Sequence, residues 1–241
     1  MDQGAETEIV PGPLGYTIWF LGALLEVSVV VCAVAKHSLR RYLFLNLYMA
    51  ASFLVSVGRF QILTHFGLTS TEYTYFYFYS DVLLTICLYF ALISLYLHVF
   101  DEMKVESIVR LTAVFLLAGT AIFSYFVVEQ SSSKMLTHFF FELSQNLYFV
   151  GLVLTYLLWG AILKMRETRT RLIQLVLSLG VYFSVFAATL ALRNLYPNLQ
   201  VVWEYIAPLF GCLLPLSWAY AFWRLPEEAR LSTARLAVIP R

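Results

Sequence analysis

The chain has 241 residues, 61% hydrophobic and 13% charged, with a net charge of +1 and a mean hydropathy of +0.76. Soluble domains carry about 25% charged residues, so this composition excludes an ordinary water-soluble globule. The near-neutral charge also excludes nucleic-acid binding, and an all-α, polytopic membrane protein is the class that remains.

Residues 1–13, MDQGAETEIVPGP, are acidic where a secretory leader needs a basic start. They are expected to form an extracytoplasmic segment rather than a cleaved signal. Seven apolar runs follow, at 14–35, 42–65, 73–100, 108–128, 138–163, 172–196 and 201–224. Each reaches the roughly 20 residues that cross a bilayer. They predict one seven-helix transmembrane domain over 14–224 with short loops and no inserted soluble domain. The gaps after runs 1, 3 and 5 and the tail hold all of the 16 Lys and Arg except Arg59, Lys134 and Arg193. The positive-inside bias therefore places the N-terminus outside and the C-terminus in the cytoplasm of a plasma or inner membrane.

Run 1 carries one acid, Glu26, near its middle. An intramembrane carboxyl marks a proton site or a bond to a neighbouring helix. Run 2 contains Arg59 and two small residues, Ser52 and Ser56, at helical spacing, which suit close helix packing. Run 3 opens with YTYFYFYS (73–80), which alternates like a strand. An open strand has no place in lipid, so these tyrosines are expected to begin a helix in the interfacial aromatic belt. Asp81 follows directly.

Run 5 contains HFFFELSQNLYF, which sets Glu142, Gln145 and Asn146 on one helical face. Run 6 carries the small-residue series Gly180, Ser184 and Ala188 and, near its end, Arg193. Run 7, VVWEYIAPLFGCLLPLSWAYAFW, carries Glu204, and its prolines Pro208 and Pro215 predict a kink. The tail, 225–241, reads as cytoplasmic. Its start, LPEEAR, resembles a helix start, giving either a short interfacial helix or a frayed end.

Five charged residues thus share the outer half: Arg59, Asp81, Glu142, Arg193 and Glu204. Residues equidistant from a hairpin turn lie at equal depth, so Arg59 is expected to meet Asp81 and Arg193 to meet Glu204. Both pairs are either structural or the lining of one outward-facing pocket. Glu142 has no hairpin partner: it either snorkels to the surface or leaves the pocket with an excess negative charge. The pocket reading predicts a ligand- or cation-binding set of Arg59, Asp81, Glu142, Gln145, Asn146, Arg193 and Glu204, with Glu26 as a proton site. In the inner half the polar residues, Asn46, Ser94 and Gln174, are neutral.

His37 and His98 fall near the inner face, and His65 and His138 near the outer one. No HExxH or HxxxH motif joins them, so no haem, metal or other cofactor is expected. Cys32, Cys87 and Cys212 all lie in spans and suit apolar packing rather than a disulfide. No nucleophile-elbow, dinucleotide or phosphate-loop motif points to an enzyme.

The topology resembles that of microbial rhodopsins, hormone-receptor-like proteins and the seven-helix input domains of bacterial sensor kinases. A retinal Schiff base needs a lysine in helix 7, and run 7 has none. The sequence therefore leads to a receptor- or sensor-like membrane protein. It takes a small molecule or cation from outside and signals through a cytoplasmic or membrane partner. A proton-coupled or small-solute transporter and a structural subunit of a larger complex are the alternatives.

Overall fold

The computed structural model describes residues 13–67, 70–101, 106–129, 135–195 and 208–227. These residues form helices joined by short turns, with no strand among them. The helices are α1 (Pro13–Ala35), α2 (Leu43–Phe66), α3 (Thr71–Val99), α4 (Glu106–Glu129), α5 (Met135–Met165), α6 (Thr170–Leu195) and α7 (Leu213–Arg224). The first six are long and apolar enough to cross a membrane, as in a multi-pass membrane protein. Their ends lie within three residues of the apolar runs.

Only part of the seventh run falls among the described residues. A helical stretch at 208–211 turns at Cys212 before the 12 residues of α7 begin. Pro215 has no amide hydrogen, so the Gly211 carbonyl loses its helical donor. The Cys212 amide is shared between Pro208 O and Leu209 O, both at 3.2 Å, which tightens the preceding turn. The expected proline-linked break is present. The tail beyond residue 227 lies outside the described residues.

Local chemistry fixes the helix ends. Ser70 caps α3 by accepting from the Tyr73 amide at 3.1 Å, and the alternating stretch 73–80 is helical. α1 ends with His37 at φ 53°, Ser38 N bonded to Ala33 O at 2.8 Å and His37 N to Val34 O at 3.0 Å. α5 ends in the same way, with Arg166 at φ 51° and Glu167 N bonded to Ile162 O at 3.0 Å. Both are Schellman closures in which a non-glycine residue takes the left-handed position.

The helices form a ring in the order α1, α2, α3, α5, α6, α7 and back to α1, with α4 lying outside against α5 and α3. α3 is the most enclosed: Leu88, Ala91, Leu92 and Leu95 meet Met49, Leu158, Leu175, Leu179 and Trp218 in the core. Leu14, Phe20 and Leu24 of α1 and Phe115, Ile122 and Phe126 of α4 are exposed. Bare apolar faces of this size suit lipid contact.

α5 and α6 pack closely at Gly151. A Cβ there would lie 2.4 Å from the Phe183 ring. The expected small-residue series on α6 packs only in part. Gly180 sits against Thr155 and Trp159, Ser184 reaches the Tyr156 hydroxyl at 3.3 Å, and Ala188 is exposed. The three cysteines are free thiols.

Candidate functional site

Arg59 reaches from α2 across to α3. Its Nε and Nη2 donate to Ser80 Oγ at 3.0 and 2.8 Å, and Nη2 also donates to Tyr77 O at 3.3 Å. The guanidinium lies over the Tyr77 ring, 4.3 Å from its centre. It does not form the expected ion pair with Asp81. Hairpin symmetry gives depth but not direction around the helix, and residues 80 and 81 point about 100° apart. Ser80 faces α2, whereas Asp81 faces α5.

There Asp81 Oδ2 accepts from Ser144 Oγ at 2.6 Å, and Thr85 Oγ1 lies 3.0 Å from the same hydroxyl. Thr85 is one turn beyond Asp81, so one face of α3 presents both groups to α5. Beyond Thr85 three tyrosines lie near one another across the bundle, Tyr148 of α5, Tyr182 of α6 and Tyr48 of α2, close enough for their hydroxyls to interact electrostatically.

Glu26 projects from α1 towards α2. Its Oε1 accepts from Ser52 Oγ at 2.5 Å. Ser52, expected as a packing residue, is therefore the donor that holds this acid. Glu26 Oε2 is buried with no hydrogen-bond partner among the described residues. The Arg59 charge attracts both Glu26 and Asp81 without an ion pair to either.

The other expected site residues spread apart. Asn146 turns away from the core and donates to Ser124 of α4 at 3.0 Å. Its bond thus runs to α4 rather than to the Arg59, Asp81 and Glu26 groups. Glu142 and Gln145 are half-buried and make no hydrogen bond or ion pair to another described residue. Arg193 lies in α6, but its side chain and all of Glu204 are outside the described residues.

A second polar assembly occupies the opposite end of the bundle, where the α1–α2 and α5–α6 loops lie. Arg171, in the first turn of α6, is only 4% exposed. Its Nη1 donates to Glu227 Oε2 at 2.5 Å and to Ser38 Oγ at 2.9 Å, and its Nε donates to Leu225 O at 2.8 Å. Glu227 Oε1 accepts from the Tyr42 hydroxyl at 3.0 Å and pairs with Arg41 at 3.3 Å. Burial first, and then the Glu227 carboxylate, push the Tyr42 hydroxyl well above the ordinary phenol range, so it stays a neutral donor.

The Tyr42 ring stacks on His98, 5.1 Å between centres. His98 O in turn accepts from Arg169 Nη2 at 2.9 Å, and Arg169 pairs with Glu167 at 2.6 Å. The Arg169 guanidinium, by donating to the Glu167 side chain, holds that carboxyl below the usual range. One clamp thus ties the α1–α2 loop, the end of α3, the start of α6 and the chain after α7.

The sequence reading missed this clamp because it treated these arginines as topology signals alone. One physical clue was present: a cation in the first turn of a helix opposes the helix dipole, so Arg171 needed a nearby acceptor. His37 forms the α1 cap and is exposed, as is His65 at the end of α2; the His138 side chain is outside the described residues. Among the described residues no three His, Cys, Asp or Glu side chains gather as a metal site.

Chemically, the core can exchange a proton or hold a cation at Glu26 or Asp81, and the clamp can hold helix ends together. No family model, no curated protein and no solved structure matches this chain.

Proposed function

We propose that the chain is a receptor- or sensor-like integral membrane protein. Its N-terminus faces outward and its tail faces the cytoplasm, with the seventh run completing a seventh span. The responsive site is the polar core of Arg59, Asp81 and Glu26. Glu142, Gln145, Arg193 and Glu204 belong to its outer rim, and a small organic cation is the favoured ligand. Binding shifts α7, interrupted at Cys212, and so alters the surface offered to a separate cytoplasmic or membrane partner. The chain is no enzyme in this reading.

One observation supports the reading best. Two carboxylates from different helices flank a single guanidinium, and hydroxyls rather than that guanidinium hold them. Such a core carries more negative than positive charge inside an apolar bundle. A bound cation or proton relieves that imbalance.

The test is thermal unfolding of the purified chain against a panel of amines and quaternary ammonium ions. A ligand at 100 times its dissociation constant stabilises by about 2.7 kcal/mol, and Asp81→Asn or Glu26→Gln abolishes that gain. A ligand response that survives in both variants ends the proposal.

The unpartnered Glu26 Oε2 favours one second reading, a proton-coupled carrier. In that case proteoliposomes take up solute under a pH gradient, and Glu26→Gln stops uptake.

A further inference from the structure

Between α6 and α7 the described residues leave a groove in the ring of helices. The two helices meet at the clamp end, where Gln174 Nε2 donates to Ser217 Oγ at 3.1 Å. Beyond that contact they enclose a groove of about 560 Å³. One face of α6 lines it from Gln174 to Val185, a rise of roughly 16 Å. Its floor includes Leu214 and the hydroxyl-bearing Tyr182. Its rim is Val181, Leu213 and Leu216, which are 47%, 44% and 52% exposed and so open the groove sideways towards lipid.

We propose that this groove binds a neutral amphiphile with one polar head and one apolar tail, entering laterally from the bilayer. The volume falls in the range of small-molecule sites, about 300–1,000 Å³. Among the described residues no charged side chain lines it, so an ionised head finds no counter-charge among them. The nearest cation along α6, Arg171, is saturated by Glu227, Leu225 and Ser38.

Polar anchors nevertheless gather at the clamp end. Ser217 accepts from Gln174, and the Gln174 side-chain carbonyl has no partner among the described residues. A hydroxyl head can donate to that carbonyl while its tail lies along Val181 and Leu213. A partner helix fits the groove poorly. Membrane helices approach through small residues, whereas this rim carries leucine and valine and the floor carries hydrogen-bonding groups. The proposal does not depend on what the carboxylate core binds.

The experiment uses the full chain in phosphatidylcholine nanodiscs with hexadecanol bearing a chain diazirine as photolabel. Adducts are expected on 177–185 and 213–220, and excess unlabelled hexadecanol removes them. The pair Gln174→Leu and Ser217→Leu lowers them about fivefold, as for the loss of one neutral hydrogen bond. Should that pair unfold the chain, Val181→Trp fills the groove from its exposed rim and must also displace the label.

Equal labelling, per exposed area, of Phe115 and Phe126 on α4 would overturn the site. So would labelling that neither substitution reduces. Competition by hexadecanoate as strong as by hexadecanol would overturn the neutral-head class. A protein captured at the groove in place of the probe would overturn the amphiphile.

Discussion

The two polar assemblies of this bundle are built on opposite principles. At the clamp, charge meets charge: Arg171 and Glu227 pair at 2.5 Å, and hydroxyls and carbonyls take up much of their remaining hydrogen-bonding capacity. In the core, charge meets hydroxyl: Arg59 rests on Ser80, Asp81 on Ser144 and Glu26 on Ser52. A saturated ion pair resists change, because losing either partner strands the other. A carboxyl held by a single hydroxyl retains capacity for another ligand. In the proposed reading this contrast puts anchoring at one end of the bundle and responsiveness in its middle.

The largest expected effect tests the anchor. Arg171→Met leaves Glu227, Leu225 O and Ser38 without their shared donor and should cost about 3 kcal/mol, measured as the fall in thermal midpoint in detergent. A loss below about 1 kcal/mol would mean that the clamp is an ordinary surface pair and would erase the contrast.

The core should respond less. Ser144→Ala removes one charge-assisted hydrogen bond from Asp81, worth about 1.5 kcal/mol, and the same midpoint reports it. A cost equal to that of Arg171→Met would show the core to be as tightly locked as the clamp.

Much of this architecture was legible in the sequence, for a simple reason. Lipid demands about 20 apolar residues per crossing, so run length alone located six spans, and Pro215 located the break before α7. Depth was legible too: counting from the turn put Arg59 within one or two residues of the level of Asp81. Direction was not, because one residue turns a helix by about 100°, and that single step gave Arg59 to Ser80 and Asp81 to Ser144. The tyrosines Tyr48, Tyr148 and Tyr182 were hidden for another reason. Among 16 tyrosines in the chain, nothing local separates a belt residue from one whose hydroxyl points inward. The clamp joins residues more than 50 positions apart, Arg171 to Glu227 and Ser38 to Arg171, and no spacing rule spans such distances.

The pH response sharpens the anchor further. Arg169 keeps the Glu167 carboxyl below the ordinary glutamate value of about 4.3. A depressed folded-state value means that the contribution is complete above the unfolded value and is lost as pH falls through the folded one. Acidification below about pH 4.3 should therefore lower the thermal midpoint of the wild type more than that of Glu167→Gln. Parallel curves would remove the Glu167–Arg169 pair from the anchoring side of the comparison.

The smallest effect belongs to Glu142. It is half-buried on α5, two residues before Ser144, yet makes no bond to another described residue. A carboxylate without a partner gains nothing from its charge, so Glu142→Gln should change stability by no more than about 0.5 kcal/mol. The same substitution discriminates between its two roles. If Glu142 only edges the core, cation-induced stabilisation persists in the variant with a weaker affinity. A stability loss above about 1 kcal/mol would show that Glu142 has a partner of its own. The core would then hold three carboxylates against one guanidinium, a still greater excess of negative charge facing a clamp in which charges are paired.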